Sequence, residues 1–150
     1  MRFTATAVTA LLFGANAMAQ DLNSEDVSIA DFIVHKAGAS GGSAGIVDGV
    51  SFKLTGNDAT DLSCSATADQ ITDGVPTDVI TCGDSKYRFA LVGSPDYSTF
   101  ILQVFHELGT ASGLSGQGTI GTYCRSGGLD NVVCTQAQSP TTIHLDSLPQ

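Results

Sequence analysis

The chain has no tryptophan and only six basic residues against fifteen acids, and just 14% of its 150 residues are charged. At a formal charge of −9 it lacks the cations that neutralise phosphate, which excludes nucleic acid and anionic membrane surfaces as expected partners. Long apolar runs are scarce too. The one candidate, residues 3–13, is too short and too broken by threonine to supply the roughly 20 residues of a membrane-spanning helix. It follows Arg2 and leads to Ala17-Met18-Ala19, the order of charge, apolar segment and small-residue site that a signal peptidase cuts. Residues 1–19 are therefore expected to be a secretory signal peptide, with residues 20–150 forming the mature, extracellular chain. No anchor is expected in that remainder. Without Arg2, five basic residues face all fifteen acids, a formal charge of −10 with neutral histidines.

Helical periodicity is also missing, whereas glycine, serine, threonine and aspartate are plentiful. A mature chain of about 130 residues is the size of one domain. Its strand-length segments are separated by turn residues: 27–36, 50–55, 62–68, 78–82, 87–92, 99–108, 116–124, 131–136 and 141–145. Val50, Phe52 and Leu54 alternate with Ser51, Lys53 and Thr55, the period of a half-buried strand. Segment 27–36 has apolar residues at both parities, as for a strand buried on one face and partly covered on the other; the same spacing would suit a short helix after Ser24-Glu25-Asp26. Ser94-Pro95-Asp96-Tyr97-Ser98 is a hairpin turn signal. The expectation is an all-β fold, a small antiparallel β-barrel or sandwich.

All four cysteines, Cys64, Cys82, Cys124 and Cys134, lie in the mature part, and an even count in an exported chain suggests two disulfides. Three pairings are possible, the two local ones being simplest. Loops of that size would each contribute about 3 kcal/mol in the chain-entropy model. The C-x-x-C spacing of a zinc site is absent. Gly41, Ser43 and Gly45 fit the nucleophile pattern G-x-S-x-G, but within a run of tiny residues that reads as a flexible connector. Gly116, Gly118 and Gly121 fit the dinucleotide pattern G-x-G-x-x-G, yet no helix follows to hold a pyrophosphate, so closely packed glycine-rich strand is the better reading.

His35, His106 and His144 fall one per strand candidate without metal-ligand spacing, and His106 and Glu107 would face opposite sides of a strand. The aspartates at 58, 61, 69, 73, 78 and 84 read as a solvated acidic rim, with no D-x-[DN]-x-[DN]-G calcium loop. No catalytic constellation and no cofactor are expected.

Leu62-Ser63-Cys64-Ser65-Ala66-Thr67-Ala68-Asp69, Thr81-Cys82-Gly83, Tyr123-Cys124-Arg125-Ser126-Gly127-Gly128, Val133-Cys134 and the closing Leu148-Pro149 resemble the family of the Alternaria major allergen, especially its secreted elicitor members. The resemblance covers nearly the whole mature chain. It implies a β-barrel with bridges Cys64–Cys82 and Cys124–Cys134. It also implies a non-enzymatic secreted fungal effector or elicitor, working in the plant apoplast and provoking defence or hypersensitive cell death. The implied partner is a host plant protein, either a thaumatin-like defence protein or a membrane receptor. The family's subunit-linking cysteine has no counterpart between Gln20 and Ser63, so a monomer or non-covalent dimer is expected. Recognition is assigned to loops 37–45, 69–78 and 125–131, with Asp73, Asp78, Arg125 and Asp130 as candidate residues and an Arg125–Asp130 ion pair as the alternative role of that arginine. Competing functions are carriage of a plant phenolic or flavonoid, and cell-wall hydrolysis by two loop carboxylates.

Overall fold

Alternation of buried and exposed side chains along nine segments builds the molecule, a computed structural model that describes residues 23–39 and 44–147. The segments are β1 (Ser24–Ala37), β2 (Ile46–Gly56), β3 (Ala59–Ala66), β4 (Ile80–Thr81), β5 (Tyr87–Asp96), β6 (Thr99–Gly109), β7 (Ser112–Gly128), β8 (Asn131–Gln136) and β9 (Thr141–Ser147). No helix occurs among the described residues, and β1 is a strand rather than a helix. The proposed signal peptide, Gln20 and Ser43 lie outside the described residues.

All pairings are antiparallel, and the sheet runs β3-β2-β1-β8-β7-β6-β5-β4, with β9 bonded to both β1 and β7. Two short strands thus share the space between two long ones. The first half of β1, Ser24 to Ile29, pairs with β9, and Ile33 to Lys36 pairs with β8. Between the halves lies a bulge, where Asp31 has φ 52° and the register to β2 shifts. The Gln136 side chain fills the gap as a peptide group would. Its Oε1 accepts from the Phe32 amide at 3.0 Å, and its Nε2 donates to the Ile29 carbonyl and the Thr141 hydroxyl, each at 3.0 Å. A bulge also exchanges the two faces of a strand. Val27 and Ile29 point inward before it, Phe32 and Val34 after it, and Ile33 turns outward. The mixed parity of this segment therefore marks a bulge, not a strand buried on one face and partly covered on the other.

The glycines of the G-x-G-x-x-G stretch sit within β7, where β9 packs closely. A Cβ on Gly118 would fall 2.5 Å from Ile143 Cγ1, and one on Gly116 would meet the His144 carbonyl. The core is built on Phe32, Phe52, Phe89 and Phe100, with Phe52 of β2 edge-on to Phe89 of β5 at 5.0 Å.

Among the described residues no ladder joins β3 to β4, the two ends of the sheet path. The Cys64–Cys82 disulfide crosses this seam, whereas Cys124–Cys134 links residues already facing each other in the β7–β8 ladder. Both bridges follow the local pairing. Some boundaries differ from the sequence reading. The segment expected at 78–82 is strand only at Ile80–Thr81, and Thr77 bonds β5 in its place, its amide donating to the Leu91 carbonyl at 2.9 Å. β5 runs on to Asp96, so the hairpin turns at Tyr97–Ser98 instead of beginning at Ser94.

Candidate functional site

β7 also outruns its expected end, and residues 125–128 are strand rather than loop. The β7–β8 connection is a two-residue turn in which Leu129 (φ 49°) and Asp130 (φ 60°) both take the left-handed backbone of a primed hairpin turn. Such turns favour Asn-Gly, and holding other residues there costs on the order of 1 kcal/mol each. Leu129 is nonetheless 97% exposed. The Asp130 carbonyl accepts from the Ala39 amide at 2.8 Å, tying this tip to the β1–β2 connector.

Alternation sends Tyr123 and Arg125 outward from β7, and Tyr123 is 72% exposed. The ladders set Tyr123 beside Thr135 and then Ile33, and Arg125 beside Val133 and then His35, whose ring is hydrogen-bonded to Asp48. Ile33, Tyr123 and Leu129 are three of the six exposed large hydrophobics among the described residues. Arg125 forms no ion pair with Asp130 among the described residues.

The connector's ends, the 69–78 loop and the β5–β6 hairpin meet at the same end of the barrel. They enclose a cleft of about 420 Å³ lined by Lys36, Ile46, Asp73, Asp96 and Tyr97 among others. Lys36, which the sequence reading passed over, is buried at its base. Its ammonium donates to the Tyr97 carbonyl at 2.7 Å and lies 4.4 Å from the Tyr97 ring centroid. Burial pushes the Lys36 amine below its ordinary value, with Asp96 opposing. Of the four candidate recognition residues, Asp73 and Asp130 thus come to one end. Arg125 lies on the outer wall, and Asp78 is exposed outside the cleft.

The model of the family described as Alternaria alternata allergen 1 matches residues 29–135. The chain belongs to that family. It is 45% identical, over 99% of its length and 96% of the relative's, to Effector protein PevD1 of Verticillium dahliae. Two crystal structures of the Alternaria alternata major allergen Alt a 1 share the fold. They superpose with TM-scores of 0.63 and 0.64 at 24% identity, each covering 83% of this chain and 95% and 89% of theirs.

In this member of the allergen family the opposite end of the barrel holds a second polar assembly. Glu25 of β1 and His106 of β6 are buried, and His106 Nδ1 lies 2.5 Å from Glu25 Oε2. Glu25 Oε1 accepts from the Tyr87 hydroxyl and from the Asn57 amide, each at 2.6 Å. The Tyr87 ring stacks on the imidazole at 4.1 Å, and its oxygen accepts from the Asp58 amide at 3.2 Å. The other imidazole nitrogen, Nε2, faces Asp58 Oδ2 at 3.0 Å. Burial, then the hydrogen bond to Glu25, pushes the Tyr87 phenol well above its ordinary value and keeps it a donor. A Cβ on Gly56 would sit 2.6 Å from the Tyr87 oxygen, so the β2–β3 turn needs glycine there. His106 points inward and Glu107 outward to Arg88 at 2.8 Å, as strand alternation requires. Sequence reasoning treated Asp58 as rim and named Glu25 only in the stretch before a possible short helix. No spacing signal joins residues 25, 58, 87 and 106: Tyr87 and His106 face each other in the β5–β6 ladder, and closure of the sheet brings that pair to Glu25 and Asp58.

Proposed function

We propose that this protein is a secreted fungal effector that binds a host plant protein through the loop end of its barrel and acts without catalytic turnover. The observation that carries this reading is the turn of Leu129 and Asp130, a large apolar side chain held at full exposure on a strained backbone. Strain of this kind concentrates at binding and switch sites, and exposed aromatic and aliphatic anchors are what interfaces bury. Tyr123, Ile46 and Tyr97 add further exposed apolar area near that end. The effector named in Verticillium dahliae supports the class. A thaumatin-like defence protein or a membrane receptor is the proposed partner, met in the apoplast.

Mature protein infiltrated into leaves should provoke defence signalling and should capture a host protein from apoplastic fluid. Leu129→Asp combined with Tyr123→Ala should leave the fold intact and weaken capture by about 30-fold, the effect of losing one interface hot spot. Undiminished capture and response in that variant would sink the assignment of this end.

A second reading, carriage of a small plant phenolic, has one observation in its favour. A cleft of about 780 Å³, bordered by Phe105, Leu108, Leu114, Val79, Lys86 and Arg88, lies at the other end of the barrel. A ligand there would raise the melting temperature with the logarithm of its concentration above the dissociation constant, and equally in Leu129 variants.

A further inference from the structure

We propose that His106 is a proton-operated clasp: with a hydrogen on both ring nitrogens it fastens the β2–β3 turn to β1, β5 and β6, and loss of one hydrogen releases that end of the seam. Glu25 and Asp58 offer carboxylate oxygens to opposite nitrogens of one imidazole. Ionised carboxylates only accept, and a neutral imidazole carries one N–H, so both contacts are hydrogen bonds only in the imidazolium form.

The groups facing His106 determine which contact gives way. From β1 there is Glu25, wholly buried, and from the β2–β3 turn there is Asp58, whose side chain is 54% exposed. From β5 the facing group is the Tyr87 phenol, flanked along the strand by Lys86 and Arg88, and Arg88 is paired with Glu107 of β6. The β7 residue paired with His106 is Leu114, which does not titrate, and the titratable groups of β9, which also packs against β6, are the exposed His144 and Asp146, paired with each other. A buried carboxylate stripped of a donor costs far more than one that water can solvate. The proton therefore stays on Nδ1 toward Glu25 when only one remains. Nε2 then turns a lone pair toward the Asp58 carboxylate, and attraction becomes repulsion.

The turn has few other ties to β5 and β6. The Asp58 amide reaches the Tyr87 oxygen, and the Asn57 amide reaches Glu25. Since no ladder joins β3 to β4 among the described residues, releasing Asp58 frees this end of the seam while the Cys64–Cys82 bridge holds further along. The clasp is tightest where the carboxylates are ionised and the imidazole is protonated.

Two measurements on the folded mature protein test this. Side-chain nitrogen NMR of His106 should show both nitrogens protonated at pH 6 and one at pH 8.5. Over the same interval the amides of Asn57 and Asp58, corrected for intrinsic exchange, should lose at least tenfold in protection, while the Phe32 amide, held by Gln136, does not change. Asp58→Ala, an exposed position, should remove the pH dependence at these amides and leave them as unprotected at pH 6 as the parent is at pH 8.5. His106→Gln should do the same if it folds. A His106 ring that keeps one proton number from pH 5 to 9 would overturn the clasp. So would amide profiles that are the same in the parent and in Asp58→Ala.

Discussion

Between β1 and β7 the barrel is closed by backbone ladders through β8 and β9, and where the ladder lapses at the Asp31 bulge the Gln136 amide replaces it. Between β3 and β4 closure instead falls to side chains: the Cys64–Cys82 bridge, the Phe52–Phe89 contact and the Glu25–Tyr87–His106–Asp58 assembly. A ladder spreads its free energy over many bonds that form together, whereas a seam of side chains depends on a few groups. Local opening should therefore begin at the seam.

The two disulfides give the largest test of this contrast. Loop length alone favours Cys64–Cys82 by about 0.5 kcal/mol. Replacing both of its cysteines with serine should cost about 4 kcal/mol in urea unfolding, against about 2 kcal/mol for the Cys124–Cys134 pair, both within the usual range for native bridges. Equal losses would break the distinction between seam and wall. Next in size, Gln136→Ala should cost about 2 kcal/mol by stranding backbone groups of Ile29 and Phe32, and Tyr87→Phe slightly less. Their exchange patterns should differ. The first change should deprotect Phe32 alone, and the second the whole 56–59 turn.

Leu129→Asn with Asp130→Gly installs the residues that a primed turn prefers and should stabilise by about 0.5–1 kcal/mol. The same change should weaken host-protein capture by no more than the Leu129→Asp and Tyr123→Ala double variant does, separating recognition from folding. The smallest effect concerns His144. Its hydrogen bond to Asp26, reinforced by the charge of Asp146, raises its proton affinity above the ordinary value of 6.5. A raised folded value gives stability that is full below pH 6.5 and is lost as pH rises through the folded value. His144→Gln should flatten that decline only slightly, because the group is exposed and solvent screens it. A large effect there would place the pH response in the wall rather than at His106.

Much of the fold was legible. The nine strands of the described residues fall on the segments read from the sequence, although β1 mixes parities and β4 keeps only two residues, and the reading of closely packed strand holds at Gly116 and Gly118, where β9 crosses. The parity change in β1 was visible at Val27, Ile29, Phe32 and Val34, but its cause was not, since a bulge and a strand partly covered on its second face leave the same apolar pattern. Of the candidate site, the β7–β8 connection was visible only as a loop over residues 125–131, of which the strands take all but Leu129 and Asp130. Leu129 was missed because composition gives no reason to expect leucine at positive φ. Lys36 was missed because nothing local reveals that Tyr97, 61 positions away, would cover it.

Alternation, turn chemistry and cysteine spacing are local properties, and by themselves they determined an all-β chain with two bridges, leaving three pairings open of which the short-range one was the simplest. Which strands close the barrel, and which side chains must close what the strands leave open, depends on distances between residues 25, 58, 87 and 106. Only the tertiary structure decided those, because hydrogen bonds between remote side chains arise after the sheet has curled and leave no period in the sequence.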